Sequence, residues 1–154
     1  MTDIGGVRKP PVIACAVLFG LALIVAALFS RPSAGAARAT TKTPSVVRVV
    51  ERDFHISVVH GHLTAGTVVF RVTNRGPDEH EFIVVRADHG LPMRPDGITL
   101  DEHALEKNIA GSIEPAPAGQ TNTLRVTLKS GRYALVCNMF GHYMGGMHAP
   151  LVVR

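Results

Sequence analysis

Residues 131–147 read Gly-Arg-Tyr-Ala-Leu-Val-Cys-Asn-Met-Phe-Gly-His-Tyr-Met-Gly-Gly-Met. The run from 132 to 137 is a short β-prone segment entered through the turn residues Ser130 and Gly131. It stops at Cys137, and the chain then becomes a glycine-punctuated loop carrying His142 and Met147 in a Cys-x4-His-x4-Met spacing. With 8 His and 5 Met in 154 residues, composition alone supplies that pair after a given Cys about once in 600. A strand that delivers a cysteine into such a loop is the pattern around which the rest of the chain is read.

Working outward, the chain beyond residue 45 is a series of short β-branched runs. Residues 46–51 and 54–59 come first, with Phe54, Ile56 and Val58 alternating against His55, Ser57 and Val59, which suggests one buried face. Residues 67–73 follow, then a turn at Asn74-Arg75-Gly76-Pro77, then a strand over 81–86. Segments 121–128, 132–137 and 149–153 complete the set. Short strands separated by Gly/Pro turns predict an all-β antiparallel sandwich or barrel. The stretch 87–119 interrupts the pattern, with Pro92, Pro95, Pro115 and Pro117. It reads as a long connection with one short helix over 100–108, Thr99 as N-cap and Glu102 completing a capping box.

The N-terminal 39 residues are different. Residues 12–29 are an unbroken apolar or small-residue run, preceded by Arg8 and Lys9 and followed by Arg31. At helical rise such a run covers about 27 Å, against roughly 30 Å of bilayer hydrocarbon. Two readings of residues 1–31 stand: a signal peptide cleaved near Ala34-Gly35-Ala36 or Ala37-Arg38-Ala39, or a retained membrane anchor, toward which the length leans. Both export the rest of the chain to the periplasm or the extracellular face. Residues 32–45 are small and polar, a flexible linker, so the folded domain is expected over 46–154.

Charge excludes one class of partner. The formal net charge is +4, but Arg8, Lys9, Arg31 and Arg38 face only Asp3 in the first 39 residues. The remainder is nearly balanced, and the chain has no Trp, so no nucleic-acid surface is expected.

Cys137 now needs a reason. Cys15 lies in the apolar run, so Cys137 has no disulfide partner in an exported domain. Thiolate, imidazole and thioether are soft-to-borderline ligands. Two His, one Cys and a weak axial Met form the electron-transfer copper site. The second His is best supplied by His80, which follows the 74–77 turn and precedes a strand. His55, His60 and His62 form a further cluster that reads as solvent-facing, and His89, His103 and His148 stand alone. Met93, Met139 and Met144 read as packing. No nucleophile–base set is present, so the chain is not expected to be an enzyme.

These residues resemble a known family. Asn74-x-Gly76-x3-His80-Glu81-Phe82 upstream, and Gly131-x-Tyr133 leading to Cys137-x4-His142-x4-Met147 downstream, look like the cupredoxins, the small blue copper proteins. The spacing is similar to that of the rusticyanin, auracyanin and sulfocyanin-like members. The resemblance implies a Greek-key antiparallel β-sandwich and one type 1 copper ion, with His80, Cys137 and His142 equatorial and Met147 axial. It implies a one-electron carrier, expected as a monomer, that meets redox donor and acceptor proteins through the apolar loop around His142. A copper-delivery or buffering protein using the same site is the alternative. Phe140 replaces a proline common in the family, and Glu81 replaces the asparagine of azurin-like members.

Overall fold

The computed structural model describes residues 42–154. The expectations for the apolar run 12–29, and for the linker up to residue 41, lie outside the described residues. Among those described, no helix is long and apolar enough to cross a membrane.

Eight strands form two four-stranded sheets. One sheet contains β1 (Ser45–Arg52), β2 (His55–Val59), β3 (Gly66–Asn74) and β6 (Thr121–Leu128), in the order β2-β1-β3-β6. The other contains β4 (His80–Arg86), β5 (Ile109–Ala116), β7 (Gly131–Val136) and β8 (His148–Val153), in the order β5-β4-β7-β8. The chain passes from sheet to sheet at β3–β4, β5–β6 and β6–β7, so that β6 returns beside β3 and β7 beside β4. This is a Greek-key sandwich of the kind the resemblance implies. One pair departs from the antiparallel rule: β1 runs parallel to β3, from Ser45 opposite Val68 to Glu51 opposite Asn74. Ser45, placed in the linker by its composition, already pairs in β1.

The inner faces supply the main core. Val47, Val49, Val68, Phe70 and Val72 meet Phe82, Val84, Leu135, Leu151 and Val153, and Cys137 and Met147 belong to the same cluster. Burying each large aliphatic or aromatic side chain contributes about 1.5–3 kcal/mol. A second cluster lies on the other face of β4 and β7, where Ile83, Val85 and Val136 pack against Leu100 and Leu105. With both faces covered, β4 is a continuous apolar run, and that is why EFIVVR reads so clearly as a strand.

Three local readings change. The long connection 87–119 contains the strand β5, an edge strand paired with β4 alone. The helix is shorter than 100–108: α1 spans Glu102–Leu105 and tightens into a 3-10 turn over Glu106–Asn108. Its N-cap is Asp101, whose carboxylate accepts from the Ala104 N–H at 3.1 Å, so Thr99 does not cap it. Phe54 is not an inward strand residue. It sits in the two-residue turn between β1 and β2 at φ 59° and is half-exposed.

Candidate metal centre

A single sheet brings together what the sequence separates by 57 residues. His80 is the first residue of β4, and Cys137 follows directly after β7; these strands are antiparallel neighbours. His142 comes from the loop that leaves Cys137 and returns into β8. Among the described residues, His80, Cys137 and His142 are the one group of three whose potential ligand atoms converge, all within 4.8 Å of one another. The Nδ1 atoms of His80 and His142 are 3.3 Å apart, and Cys137 Sγ is 3.4 Å from His142 Nδ1. His80 is 1% exposed and Cys137 and Met147 are fully buried. His142 is half-buried.

The loop geometry explains the spacing. Cys137 N–H donates to Met147 C=O at 3.1 Å, and Met147 N–H to His142 C=O at 2.9 Å. His142 N–H donates to Met139 C=O, and Gly145 N–H to Gly141 C=O, each at 2.9 Å. The 137–147 segment is therefore a closed, self-bonded loop whose mouth is the Cys137–Met147 pair. Gly141 and Gly146 hold φ of 80° and 104°, where an L side chain is disfavoured.

Around the candidate ligands, polar side chains fix the backbone. Asn74 is buried, donates from Nδ2 to the carbonyls of Asp78 and Ala116, and accepts the Gly76 N–H. It thereby shapes the turn that precedes His80. Asn138 accepts from Leu100 N–H and donates to Leu100 C=O and to the Glu102 carboxylate, tying the long connection to the cysteine strand. Its own N–H donates to Glu81 Oε1 at 2.8 Å. Tyr133 donates to Lys129 C=O and anchors the turn into β7.

The electrostatics suit a cation. Burial pushes the Cys137 thiol up to about 11, opposed by backbone N–H groups of Met139 and Glu81. Burial lowers the His80 pKa, the nearby His142 adds to this, and the Asp53 carboxylate opposes it. A buried thiol that resists ionising alone, beside the His80 imidazole that burial favours neutral, would give up its proton only to a thiophilic metal. The donor set fits copper: one sulfur and two nitrogens converge, with a buried thioether alongside.

His55, His60 and His62 form no converging group. His60 Nδ1 faces the Gly61 carbonyl, and His62 Nε2 lies 3.1 Å from an Arg154 guanidinium nitrogen. His148 packs on Tyr143, with ring centroids 5.1 Å apart.

Two contacts around the site were not expected from the sequence. The Asp53 carboxylate accepts from His80 Nε2 at 3.1 Å, and the Phe54 ring meets His142 edge-on at 5.6 Å. A short Asp at a hairpin tip reads only as a turn residue, so no local signal marks it. Gly76 makes this arrangement possible. A Cβ there would stand 2.5 Å from Asp53 Oδ1 and 2.8 Å from His80 Nε2. Gly76→Ala is thus expected to push the Asp53–His80 pair apart, destabilise the metal-free protein by about 1–3 kcal/mol and weaken copper binding by about 10–100-fold. Urea denaturation and competition titration measure the two effects.

A single-site copper protein of the β-sandwich type is the class that this fold and donor set define. The structure has the cupredoxin fold, and its His80–Cys137–His142 cluster with Met147 is placed to hold one type 1 copper ion. No protein-family model matches the sequence, and no curated protein matches it. Solved structures do. Auracyanin A, a "blue" copper protein from Chloroflexus aurantiacus, is 25% identical over 72% of this chain and 99% of its own, with a TM-score of 0.54. Dithionite-reduced auracyanin from Roseiflexus castenholzii is 17% identical over 71% and 97%, with a TM-score of 0.53. Reduced rusticyanin is 19% identical over 73% and 82%, with a TM-score of 0.52. At such identities the last two speak for the fold alone.

Proposed function

We propose that this chain is a blue copper protein that carries single electrons outside the cytoplasmic membrane, with His80, Cys137 and His142 as equatorial ligands and Met147 as the weak axial one. The convergence of three buried or half-buried donors of the right chemistry carries this reading. Copper held there supplies a one-electron couple between its cuprous and cupric states. The protein's part is to keep the donors fixed. His80 stands on a rigid strand, and the 137–147 loop is closed by its own backbone hydrogen bonds. A site preformed in this way reorganises little when its charge changes. Export rests on the apolar run 12–29, and in an oxidising compartment metal ligation would protect the unpaired Cys137.

The test is the visible spectrum of the full-length chain loaded with Cu(II). An intense thiolate-to-copper band with reversible redox cycling supports the carrier. A colourless protein that holds Cu(I) and yields it to a chelating partner supports copper delivery instead.

Electrons would enter through the loop. Phe140 is 78% exposed and Met144 60%, an apolar surface beside the half-buried His142. Such a surface lets a redox partner approach without desolvating charge, in a small transient interface. Met144→Lys and Phe140→Glu are expected to slow electron self-exchange by about tenfold, as like charges meet across the contact, with the visible spectrum unchanged. Rates at wild-type level would remove this loop as the docking face.

A further inference from the structure

The β1–β2 hairpin turn consists of two residues, Asp53 and Phe54, because Arg52 pairs directly with His55. Phe54 is the one non-glycine residue with positive φ among those described, at 59°. A bulky aromatic in the left-handed region costs about 1–3 kcal/mol, and Asn or Gly is the ordinary occupant of such a position. Nothing in the hairpin's own pairing requires a phenylalanine there. Nor does the core, since Phe54 is 51% exposed.

What the position does provide is contact with the metal centre at two points. Asp53 Oδ1 lies 3.1 Å from His80 Nε2, on the side of the ring away from the site. The Phe54 ring lies edge-on to His142, with centroids 5.6 Å apart and planes at 70°. Gly145 lies so close beneath it that a Cβ there would run into the Phe54 ring, and a Cβ on Gly146 would reach Phe54 C=O at 3.4 Å. Gly76 makes room for Asp53 on the opposite side. Glycines therefore flank the turn on both ligand loops, and each loop closes on it.

We propose that the Asp53–Phe54 turn is a two-point clamp that positions both histidine ligands and sets the reduction potential of the copper centre. This rests on the copper reading above. Asp53, by accepting the Nε2 proton, holds His80 in the tautomer whose Nδ1 lone pair faces Cys137 and His142. Its negative charge, one imidazole away from the metal, favours Cu(II) over Cu(I). Phe54 fixes the plane of the His142 ring and keeps water from one edge of it. The strain at Phe54 is offset by that contact.

The test uses the full-length chain in metal-free and copper-loaded forms. In the metal-free form, nitrogen-15 NMR of His80 should show the Nε2–H tautomer. Asp53→Asn keeps an acceptor and should keep that tautomer, while Asp53→Leu should lose it and bind copper at least about tenfold more weakly. In the loaded form, Asp53→Asn should favour Cu(I) by about tenfold, a rise in potential of about 59 mV for one electron, and Asp53→Glu should bring it back. Phe54→Gly should leave the metal-free denaturation midpoint unchanged or raised, since strain is relieved, yet alter the Cu(II) electron paramagnetic resonance hyperfine pattern. The clamp is overturned if Asp53→Leu keeps the His80 tautomer, if Asp53→Asn leaves the potential at wild type, or if Phe54→Gly leaves the resonance spectrum unchanged. Absence of any copper spectrum in the wild-type chain would sink the copper reading instead, and the metal-free NMR arm would still decide whether Asp53 holds His80.

Discussion

Cys137→Ser is expected to abolish the visible copper band completely while the β-sandwich remains folded. On the proposed copper reading the thiolate would make the short covalent bond that gives the site its colour, and a serine oxygen lacks that softness. Cys137 belongs to the main core cluster and is fully buried, so the change is close to isosteric and opens no large cavity. Placing a hydroxyl where sulfur packed among apolar neighbours costs about 1–3 kcal/mol. Copper affinity should fall at least about hundredfold, or about 2.8 kcal/mol. Absorption spectroscopy and competition titration measure these effects, and far-ultraviolet circular dichroism checks the fold. A retained band in this variant would falsify the ligand set.

The convergence of His80, Cys137 and His142 was legible in the sequence because copper chemistry leaves little freedom. Copper ligation asks for particular residue types, and three of the four expected ligands come from one loop of eleven residues, 137–147. His80 could be found because it opens the strand beside the one that ends at Cys137. β4 was legible for a different reason, since burial on both faces produces its unbroken apolar run from Phe82 to Val85. β5 was hidden by the opposite circumstance. As an edge strand it needs no complete hydrogen-bond ladder, and it therefore tolerates Pro115. Its Gly111 looks like a turn signal. In the fold it marks close packing, for a Cβ there would meet Val126 Cγ1 at 2.7 Å.

The Asp53–Phe54 turn was illegible on principle. Alternation placed Phe54 on the buried face with Ile56 and Val58, yet a two-residue hairpin reverses the chain at that point. Its relation to His80 and His142 is long-range, created by sheet topology, and no local pattern encodes it. Candidate ligands are therefore readable from local spacing, whereas the groups that contact them depend on which loops the sandwich gathers at one end.

Glu51 provides the second large expected effect. It lies on β1, opposite Ile56 of β2 and Asn74 of β3, with 2% of its surface exposed. Its Oε1 has no hydrogen-bond partner. Burial pushes its pKa from 4.5 up to about 8, and the charge of Glu81 on β4 adds to this. Glu81 is raised in turn, mainly by its own burial and then by Glu102. In the folded state Glu51 keeps its proton over a pH range where the unfolded chain has lost it. Between about pH 4.5 and pH 8 the native state binds the extra proton, so stability falls as pH rises. Below that window the group costs nothing through ionisation, and above it the full penalty of a buried charge is present, on the order of 5 kcal/mol. Glu51→Gln removes the ionisation while keeping the shape. The metal-free variant should therefore lose most of this pH dependence and exceed wild type by several kcal/mol at pH 9, with the difference shrinking toward pH 4.5. Urea denaturation at pH 5, 7 and 9 reads this directly. Parallel profiles for wild type and variant would show that Glu51 finds a partner for its charge, and the buried orphan oxygen would then not be the source of alkaline instability.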